Sequence, residues 1–457
     1  MSPKSANQDM GSGSVPRLML QLAIPAVIAQ LINMLYNIVD RIYIGHIPNA
    51  GASALTGVGL FLPILMMINA FAMLAGSGGA PRAAIAMGKN DREGAQKILG
   101  NCFCVLMIFA VALTVGFYVF APQLLRLFGA SDVTLPYALA YARIYILGTV
   151  FVMVVMGMNP FITTQGFAKF SMITTVMGAV CNIILDPILI FVLDMGVQGA
   201  AVATVISQAV SAVWVMVFLR GKKTLLRLTA PNMKLVPSVI GPCLGLGIST
   251  FVMLSTESIL NISFNSSLSK FGGDLAVGAM TIISSCNQLI TLPLQGICQG
   301  GQPIMSYNFG AGNKKRVKQA FYCQFIACTG YASFMWLLLM LVPQVFTRIF
   351  NSDAMLVDYT VWAMRIYMAG IFSTGVQISC QQTFMALGQA KISLLMACLR
   401  KLVLLIPLIF LLPFVFKDPV FGVFVAEPVS DMIAASVTGF MLFSRLNRIL
   451  DQGASKA

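Results

Sequence analysis

Charged side chains are scarce in this sequence: they make up 10% of its 457 residues, whereas hydrophobic residues make up 58%. Soluble domains carry about 25% charged residues, so this chain lacks the polar side chains that a water-facing surface needs. A helix that crosses a bilayer needs about 20 apolar residues, and the chain is long enough for roughly a dozen such helices. The composition therefore predicts an integral membrane protein.

The residues that most often carry catalysis are also few. The sequence has one histidine, His46, and neither an HExxH nor a GxSxG motif. The segment AAIAMGKN (83–90) lacks the first glycine and the final hydroxyl of a nucleotide-binding GxxxxGK[ST] loop. Its ten cysteines form no CxxC pair, which argues against a structural zinc site. We therefore predict that the protein is not an enzyme and holds no cofactor.

Basic residues outnumber acidic ones, 29 to 15, but their placement does not suit nucleic acid. When the apolar runs are taken as spans, all but seven of the Lys and Arg residues fall on one side of the membrane. This asymmetry marks the cytoplasmic side, so we predict a multi-pass protein of the cell membrane with both termini cytoplasmic and no nucleic-acid partner. The seven exceptions are Arg41, Arg126, Arg143, Lys270, Arg348, Arg365 and Lys417.

Hydropathy predicts twelve spans. A basic connector at 220–235 separates six spans within 18–219, the N-lobe, from six within 236–444, the C-lobe. Tails at 1–17 and 445–457 complete the predicted division of the chain. The spans run near 18–45, 53–77, 98–120, 136–160, 170–193, 199–219, 236–268, 275–300, 319–341, 358–384, 393–416 and 421–444.

The two halves repeat at a nearly constant offset, which indicates duplication. Six is an even number, so both halves insert in the same orientation, as in carriers that bind substrate between parallel repeats. We predict an all-α membrane protein, monomeric, with two six-helix lobes related by pseudo-twofold symmetry along the membrane normal. The matched segments are GGAPRAAIAMGKND (78–91) with GGQPIMSYNFGAGN (300–313), PQLLRLFGASD (122–132) with PQVFTRIFNSD (343–353), and GFAKFS (166–171) with GQAKIS (388–393).

Four acidic residues fall deep in predicted spans: Asp40, Asp186, Glu257 and Glu427. A charge at the bilayer centre costs about 2.5–3.5 kcal/mol even on insertion scales. Such residues line ion or substrate pathways, or they anchor helices through hydrogen bonds. For Glu257 and Glu427 the sequence leaves both interpretations open.

Asp40 ends a polar stripe on the first span. Asn33, Tyr36, Asn37 and Asp40 follow the spacing i, i+3, i+4, i+7, which places them on one helix face. We predict that Asn33, Tyr36 and Asn37 line a substrate cavity, together with Glu257 of the seventh span.

In the fifth span, Asn182 and Asp186 lie four residues apart, on one helix face. Pro187 has no N–H, so the Ile183 carbonyl loses its helical partner. These oxygens suit a proton, a sodium ion or a cationic drug; the alternative is a hydrogen bond that ties two helices together. Pro187, and Pro25 in the helix of Asp40, are predicted hinges.

With these features, the whole chain resembles the multidrug and toxic compound extrusion (MATE) transporters, in their prokaryotic DinF-type branch. The repeated G-x-A-K segments after spans four and ten add to this resemblance. The other segments that carry it are LAIPAVIAQLINMLYNIVDRIYIGHI (22–47), NIILDPILIF (182–191) and GVQGAAVATVISQ (196–208).

The resemblance implies two six-helix lobes that form a V, and export of cationic or amphipathic small molecules in exchange for H⁺ or Na⁺. It implies an ion-coupling cluster of Asp40, Asn182, Asp186 and Thr204, which would also be the ligands of Na⁺. Other branches use a carboxylate pair in spans seven and ten. Glu257 matches the first member, but the stretch VQISCQQTFMALG (376–388) of the tenth span has no acid, so the N-lobe is the favoured coupling site.

The main alternative is a flippase for lipid-linked oligosaccharides from the same broader superfamily. Such carriers line their cavity with basic residues for a pyrophosphate, and Arg400-Lys401 near the start of span eleven keeps this alternative open. A receptor or a channel fits poorly with a twofold-repeated monomer.

Overall fold

The computed structural model describes residues 10–48, 51–350 and 353–454, and these residues form helices and turns with no strand. The chain also contains two π-helical turns, at Ile188–Val192 and at Leu399–Leu405. In chain order the helices are α1 (Val15–Gly45), α2 (Gly51–Gly88), α3 (Arg92–Leu127), α4 (Leu135–Leu147), α5 (Thr149–Thr164), α6 (Ala168–Pro187), α7 (Gly196–Arg220), α8 (Pro237–Gly310), α9 (Lys314–Leu341), α10 (Pro343–Phe350), α11 (Ala354–Tyr367), α12 (Ile371–Ala386), α13 (Ala390–Cys398), α14 (Ile406–Leu411) and α15 (Pro419–Ala454).

Across the described ranges, these helices make up twelve spans, so the predicted all-α, twelve-span fold is confirmed. The long helix α8 is two spans, because Gly273 leaves helical geometry at φ 64° and ψ −161°. Helices α4 and α5 form one span bent by 56°. A 3₁₀ turn (Met368–Gly370) joins α11 to α12 as span ten, and a π-turn joins α13 to α14 as span eleven. The eight residues of α10 are too few to cross a bilayer.

The helices group into two compact units. One unit is Ile28–Phe251 with the described part of Met1–Ser12, and the other is Gly13–Val27 with the described part of Val252–Ala457. Both divisions fall inside helices, one in α1 and one in α8. The division into lobes at the basic connector stays a prediction. The predicted tails, 1–17 and 445–457, lie partly outside the described residues.

Each unit packs around the two-part fourth span of its half. In the first unit, α2 packs against α3, α4 and α5, while α7 packs against α4, α5 and α6. In the second unit, α12 packs against α9 and α15. Apolar side chains fill this second core, with Phe424 fully buried and Phe264 nearly so.

The repeated sequence folds into the same turn in both units. Asn90 has φ 61°, and Gly312, at the equivalent position of the second repeat, has φ 71°. Asparagine and glycine are the residues that adopt this left-handed conformation most readily. The following residues, Asp91 and Asn313, cap the next helix by accepting a hydrogen bond from the N–H three residues on, at 2.8 and 3.3 Å. The matched segments therefore have a common structural cause.

Gln165, at the end of α5, holds the connector between the halves. Its Oε1 accepts hydrogen bonds from the backbone N–H groups of Leu225 and Leu226, at 2.8 and 2.9 Å, and from the Thr224 hydroxyl at 2.8 Å. All four residues are buried. One side-chain oxygen thus satisfies two backbone donors that no water reaches.

We predict that Gln165→Leu destabilises the protein. The change keeps the side-chain size but leaves the N–H groups of Leu225 and Leu226 without an acceptor, at about 1–3 kcal/mol for each buried unsatisfied group. Thermal unfolding of the purified protein in detergent should show a lower Tm. Gln389→Leu is the matched control, since Gln389 donates only one local bond, to the Leu387 carbonyl at 3.3 Å. Equal Tm values for the two variants would contradict this prediction.

Candidate functional site

Three helices of the first unit bring the predicted coupling residues together. Asp40 comes from α1, Asn182 and Asp186 from α6, and Thr204 from α7. Their exposed fractions are 9%, 0%, 0% and 3%. The carboxyl groups of Asp40 and Asp186 lie within hydrogen-bond reach of each other. Residues from the first, fifth and sixth spans therefore share one buried polar site.

Asn182 orients this site. Its Nδ2 donates hydrogen bonds to Asp186 Oδ1 at 3.2 Å and to Thr204 Oγ1 at 3.3 Å. The Thr204 hydroxyl in turn donates to the Ala200 carbonyl at 3.0 Å. Both amide hydrogens of Asn182 are thereby used, so its Oδ1 is left as an acceptor.

The site has acceptors in excess. Within the described part of the chain, no donor reaches Asp40 Oδ1, Asn182 Oδ1 or Asp186 Oδ2, although all three atoms are buried. Buried oxygens without a donor are costly. A proton on one carboxyl, or a cation among the three oxygens, would satisfy them. The arrangement is therefore chemically suited to taking up positive charge.

Two local features of the backbone bring α6 and α7 together. The helix α6 ends at Pro187 and continues as a π-turn, closed by the bond from the Leu193 N–H to the Ile188 carbonyl at 2.9 Å. The helix α7 packs against this turn. Gly199 permits the close approach, since a Cβ there would lie 2.7 Å from the Leu189 carbonyl carbon. Thr204, a little more than one turn beyond Gly199, then meets Asn182.

Two tyrosines of α4 that were not predicted from the sequence border the cluster. Tyr141 and Tyr145 stack with ring centroids 5.8 Å apart, and Phe61 contacts both rings edge-on at 5.5 and 5.1 Å. Tyr141 lies close to the Thr204 side chain. Tyr145 lies in electrostatic range of Asp40. The sequence feature that could have identified these two tyrosines is their i, i+4 spacing in the fourth span.

Only part of the polar stripe on α1 lies near the Asp40–Asp186 site. Tyr36 lies in electrostatic range of Asp40 and Asp186. Asn33 and Asn37 are exposed, and the Asn37 side chain donates to the Asn33 carbonyl of its own helix at 2.6 Å. Their assignment to a substrate cavity stays a prediction.

The predicted hinge Pro25 is buried and lies in the part of α1 that belongs to the second unit. Its role, and that of Pro187, stays a prediction.

The second unit contains a different cluster, in which every carboxylate has a cationic partner. Glu257 on α8 pairs with Lys401. Arg400 pairs with Asp431 at 2.7 Å and with Glu427 at 3.3 Å, both on α15. Glu427 is thus ion-paired. Glu257, predicted for the substrate cavity, is not part of the Asp40 site.

The comparisons with known proteins agree with this architecture. The chain is 25% identical to the multidrug export protein MepA of Staphylococcus haemolyticus, over 97% of this chain and 96% of that protein. It is 24% identical to MepA of Staphylococcus aureus strain MRSA252, over 94% of both chains. Among solved structures, a MATE transporter in complex with MaL6 superposes with a TM-score of 0.90 at 23% identity, covering 97% of this chain and 99% of the other. A MOP-superfamily transporter from Pyrococcus furiosus superposes equally well, with a TM-score of 0.90 at 24% identity over 97% and 98%.

The model of the MatE family matches residues 25–188 and 249–411. The two matched segments fall one in each half, close to the register of the internal repeat. Together they cover well over half of the chain. The chain therefore belongs to the MatE family and is a prokaryotic MATE transporter.

Proposed function

We propose that the protein is a secondary active multidrug antiporter, which exports cationic or amphipathic compounds in exchange for H⁺ or Na⁺ by alternating access. The observation that carries this proposal is the Asp40–Asp186 site: two buried carboxyl groups face each other. No basic side chain of the described residues forms an ion pair with either one. The relatives named as multidrug export proteins support the export of drugs.

The electrostatics of this pair couple ion to substrate. Two negative charges so close in a low-dielectric site repel each other strongly, so at least one of them must be neutralised. A proton, a sodium ion or the positive group of a substrate each does this, and only one of them is needed. Ion and substrate therefore compete, and arrival of the ion from outside releases the substrate. For sodium, Asn182 Oδ1 would add a neutral oxygen to the carboxylates.

The flippase alternative is less well supported. It depends on Arg400 and Lys401 being available for a pyrophosphate. Both side chains are engaged with carboxylates of their own unit instead. Binding of a pyrophosphate to Arg400 would have to break its buried pairs with Glu427 and Asp431, which costs several kcal/mol.

We predict that Asp186→Asn and Asp40→Asn each abolish gradient-driven export and leave expression near normal. The amide keeps the shape of the side chain but cannot change its charge. The measurement is ethidium transport by the purified protein in lipid vesicles, under a pH gradient and a sodium gradient applied separately. We expect a loss of at least about tenfold in rate, and the double variant should be no worse than either single one, because the two groups act as a unit.

Asp132→Asn is the control for this pair, because the Asp132 side chain is exposed and pairs, among the described residues, with Arg126 at 3.4 Å. It should transport at the wild-type rate. If the Asp40 and Asp186 variants also did so, with unchanged ion dependence, the coupling site would lie elsewhere. Transport of anionic lipid-linked sugars by vesicles that ignore ethidium would instead support the flippase.

We predict a milder effect for Thr204→Val. The change keeps the side-chain volume but removes the acceptor of one Asn182 amide hydrogen, so Asn182 no longer holds a single orientation toward Asp186. The half-saturating concentration of the coupling ion should rise by about three- to tenfold, as expected for one lost hydrogen bond to a buried group. The maximal rate should change less.

The control is Thr163→Val, since the Thr163 hydroxyl bonds only to the Asn159 carbonyl of its own helix, at 3.5 Å. A Thr204→Val protein with wild-type ion dependence would show that the hydrogen-bond chain does not tune the site.

A further inference from the structure

The charged cluster of the second unit is not electrically balanced. Among the described residues it contains three carboxylates, Glu257, Glu427 and Asp431, but only two cations, Arg400 and Lys401. Arg400 lies between the two carboxylates of α15, and all three of these side chains are at most 16% exposed. Lys401 is therefore the one cation left for Glu257.

Two neighbouring basic residues in the π-turn after α13 reach different helices. Arg400 and Lys401 both lie in this turn, Leu399–Leu405. The Arg400 side chain reaches α15, whereas the Lys401 ammonium reaches α8, where it donates to the Met253 carbonyl at 2.7 Å and to Glu257. A π-turn widens the helix locally and is often found at functional sites.

The two partners in the Lys401–Glu257 pair differ sharply in accessibility. The Lys401 side chain is 9% exposed and the Glu257 side chain is 50% exposed. A ligand can thus approach the carboxylate without passing the lysine. Half of the Glu257 side chain is free of protein contact, so separating this pair leaves less buried charge unpaired than separating the Arg400 pairs would.

We propose that Lys401 is a tethered cation that occupies Glu257 when no substrate is bound, and that Glu257 recognises the positive group of the substrate, which displaces Lys401. This proposal rests on the proposed function, export of organic cations, and adds a specificity-determining pair to it. Lys401 then acts as a built-in competitor, so only compounds that gain enough from their apolar body displace it.

Other carboxylates can receive the Lys401 ammonium when a substrate displaces it from Glu257. Glu427 and Asp431 both lie in electrostatic range of Lys401. They share the single charge of Arg400, and Glu427 has only the longer bond to it, at 3.3 Å. When a substrate neutralises Glu257, Lys401 can compensate the excess negative charge beside α15. One cation enters the cluster and no charge is left buried alone.

The surroundings of the pair suit a ligand with an apolar body. Met253, whose carbonyl holds Lys401, has its sulfur against the Gln381 amide at 3.3 Å. Methionine is flexible and polarisable, which suits ligands of varied shape. Gln377, which donates to Gln381 at 2.7 Å, is 2% exposed and has a buried Oε1 that no described donor reaches. Both glutamines lie on α12, a helix that has no acid of its own.

The test is equilibrium binding of ethidium to the purified full-length protein in detergent, with no ion gradient. Lys401→Gln should bind ethidium about fivefold more tightly than the wild type, because the competitor is gone; this is the scale of a partly exposed ion pair. Glu257→Gln should bind about fivefold more weakly. The double variant should not bind ethidium more tightly than the wild type, since the tighter binding of Lys401→Gln depends on the Glu257 carboxylate. Lys401→Arg, which keeps the charge, should resemble the wild type.

Lys314→Gln is the matched control. It removes the same charge from the same unit, but from an exposed pair with Asp451 at 2.6 Å. The proposal is overturned if Lys401→Gln binds ethidium no more tightly than Lys314→Gln, or if the double variant binds it more tightly than the wild type. Wild-type affinity in Glu257→Gln overturns it as well, and this variant decides the matter if Lys401→Gln does not fold.

The same measurements separate this proposal from the proposed function. Ethidium binding that responds to Lys401 in a protein whose transport ignores Asp40 and Asp186 would refute the coupling mechanism alone. A protein that binds no ethidium in any variant would contradict both proposals.

Discussion

A charge inside the bilayer needs a partner, and this constraint governs both polar clusters of the protein. Water does not solvate a buried carboxylate. The protein must therefore supply a cation or hydrogen-bond donors, or the carboxylate must bind a mobile ion. The second unit supplies cations, through Arg400 and Lys401. The first unit supplies the donors of one asparagine and otherwise leaves Asp40 and Asp186 facing each other. Among the described residues, the first cluster thus has no cation that forms an ion pair with its carboxyl groups.

Corresponding spans build the two clusters. Each draws its side chains from the first, fifth and sixth spans of its half, and in both halves the fifth span contains a π-turn. A tyrosine from the two-part fourth span lies beside each cluster, Tyr145 in one unit and Tyr367 in the other, and these two occupy equivalent positions of the internal repeat. Duplication therefore preserved the framework of helices and turns, while the charged residues placed on it diverged.

Much of the fold and part of the site could be predicted from the sequence. The spans follow from apolar runs long enough to cross a bilayer, and the Asn182–Asp186 face follows from i, i+4 spacing. Tyr141 and Tyr145 were missed, because aromatic residues one turn apart in an apolar span also fit ordinary packing. Thr204 was reached through the family resemblance, since no local pattern ties it to a residue on another helix.

Lys401 shows a different limit of sequence reasoning. From the sequence it counts among the basic residues of the cytoplasmic side, but the structure buries it, 7% exposed, within span eleven. A hydropathy window averages over one or two charges and does not show whether a lysine near the end of a span points outward or inward. The partner, Glu257, lies far earlier in the chain, on another helix. Only the packing of α8 against the turn after α13 brings the two together.

The π-turn at Leu399–Leu405 also has a consequence for how such a protein changes in evolution. A π-turn is equivalent to an α-helix with one residue inserted. Loss of a single residue there would leave a span still long and apolar enough for the membrane. The turn absorbs this extra residue, so its loss would let the segment close as an ordinary α-helix and leave the helix on either side in nearly the same orientation. The side chains within the turn, Arg400 and Lys401 among them, would face new neighbours. In this segment, a one-residue deletion would therefore change the ion pairs of the second unit while the rest of the span kept its packing.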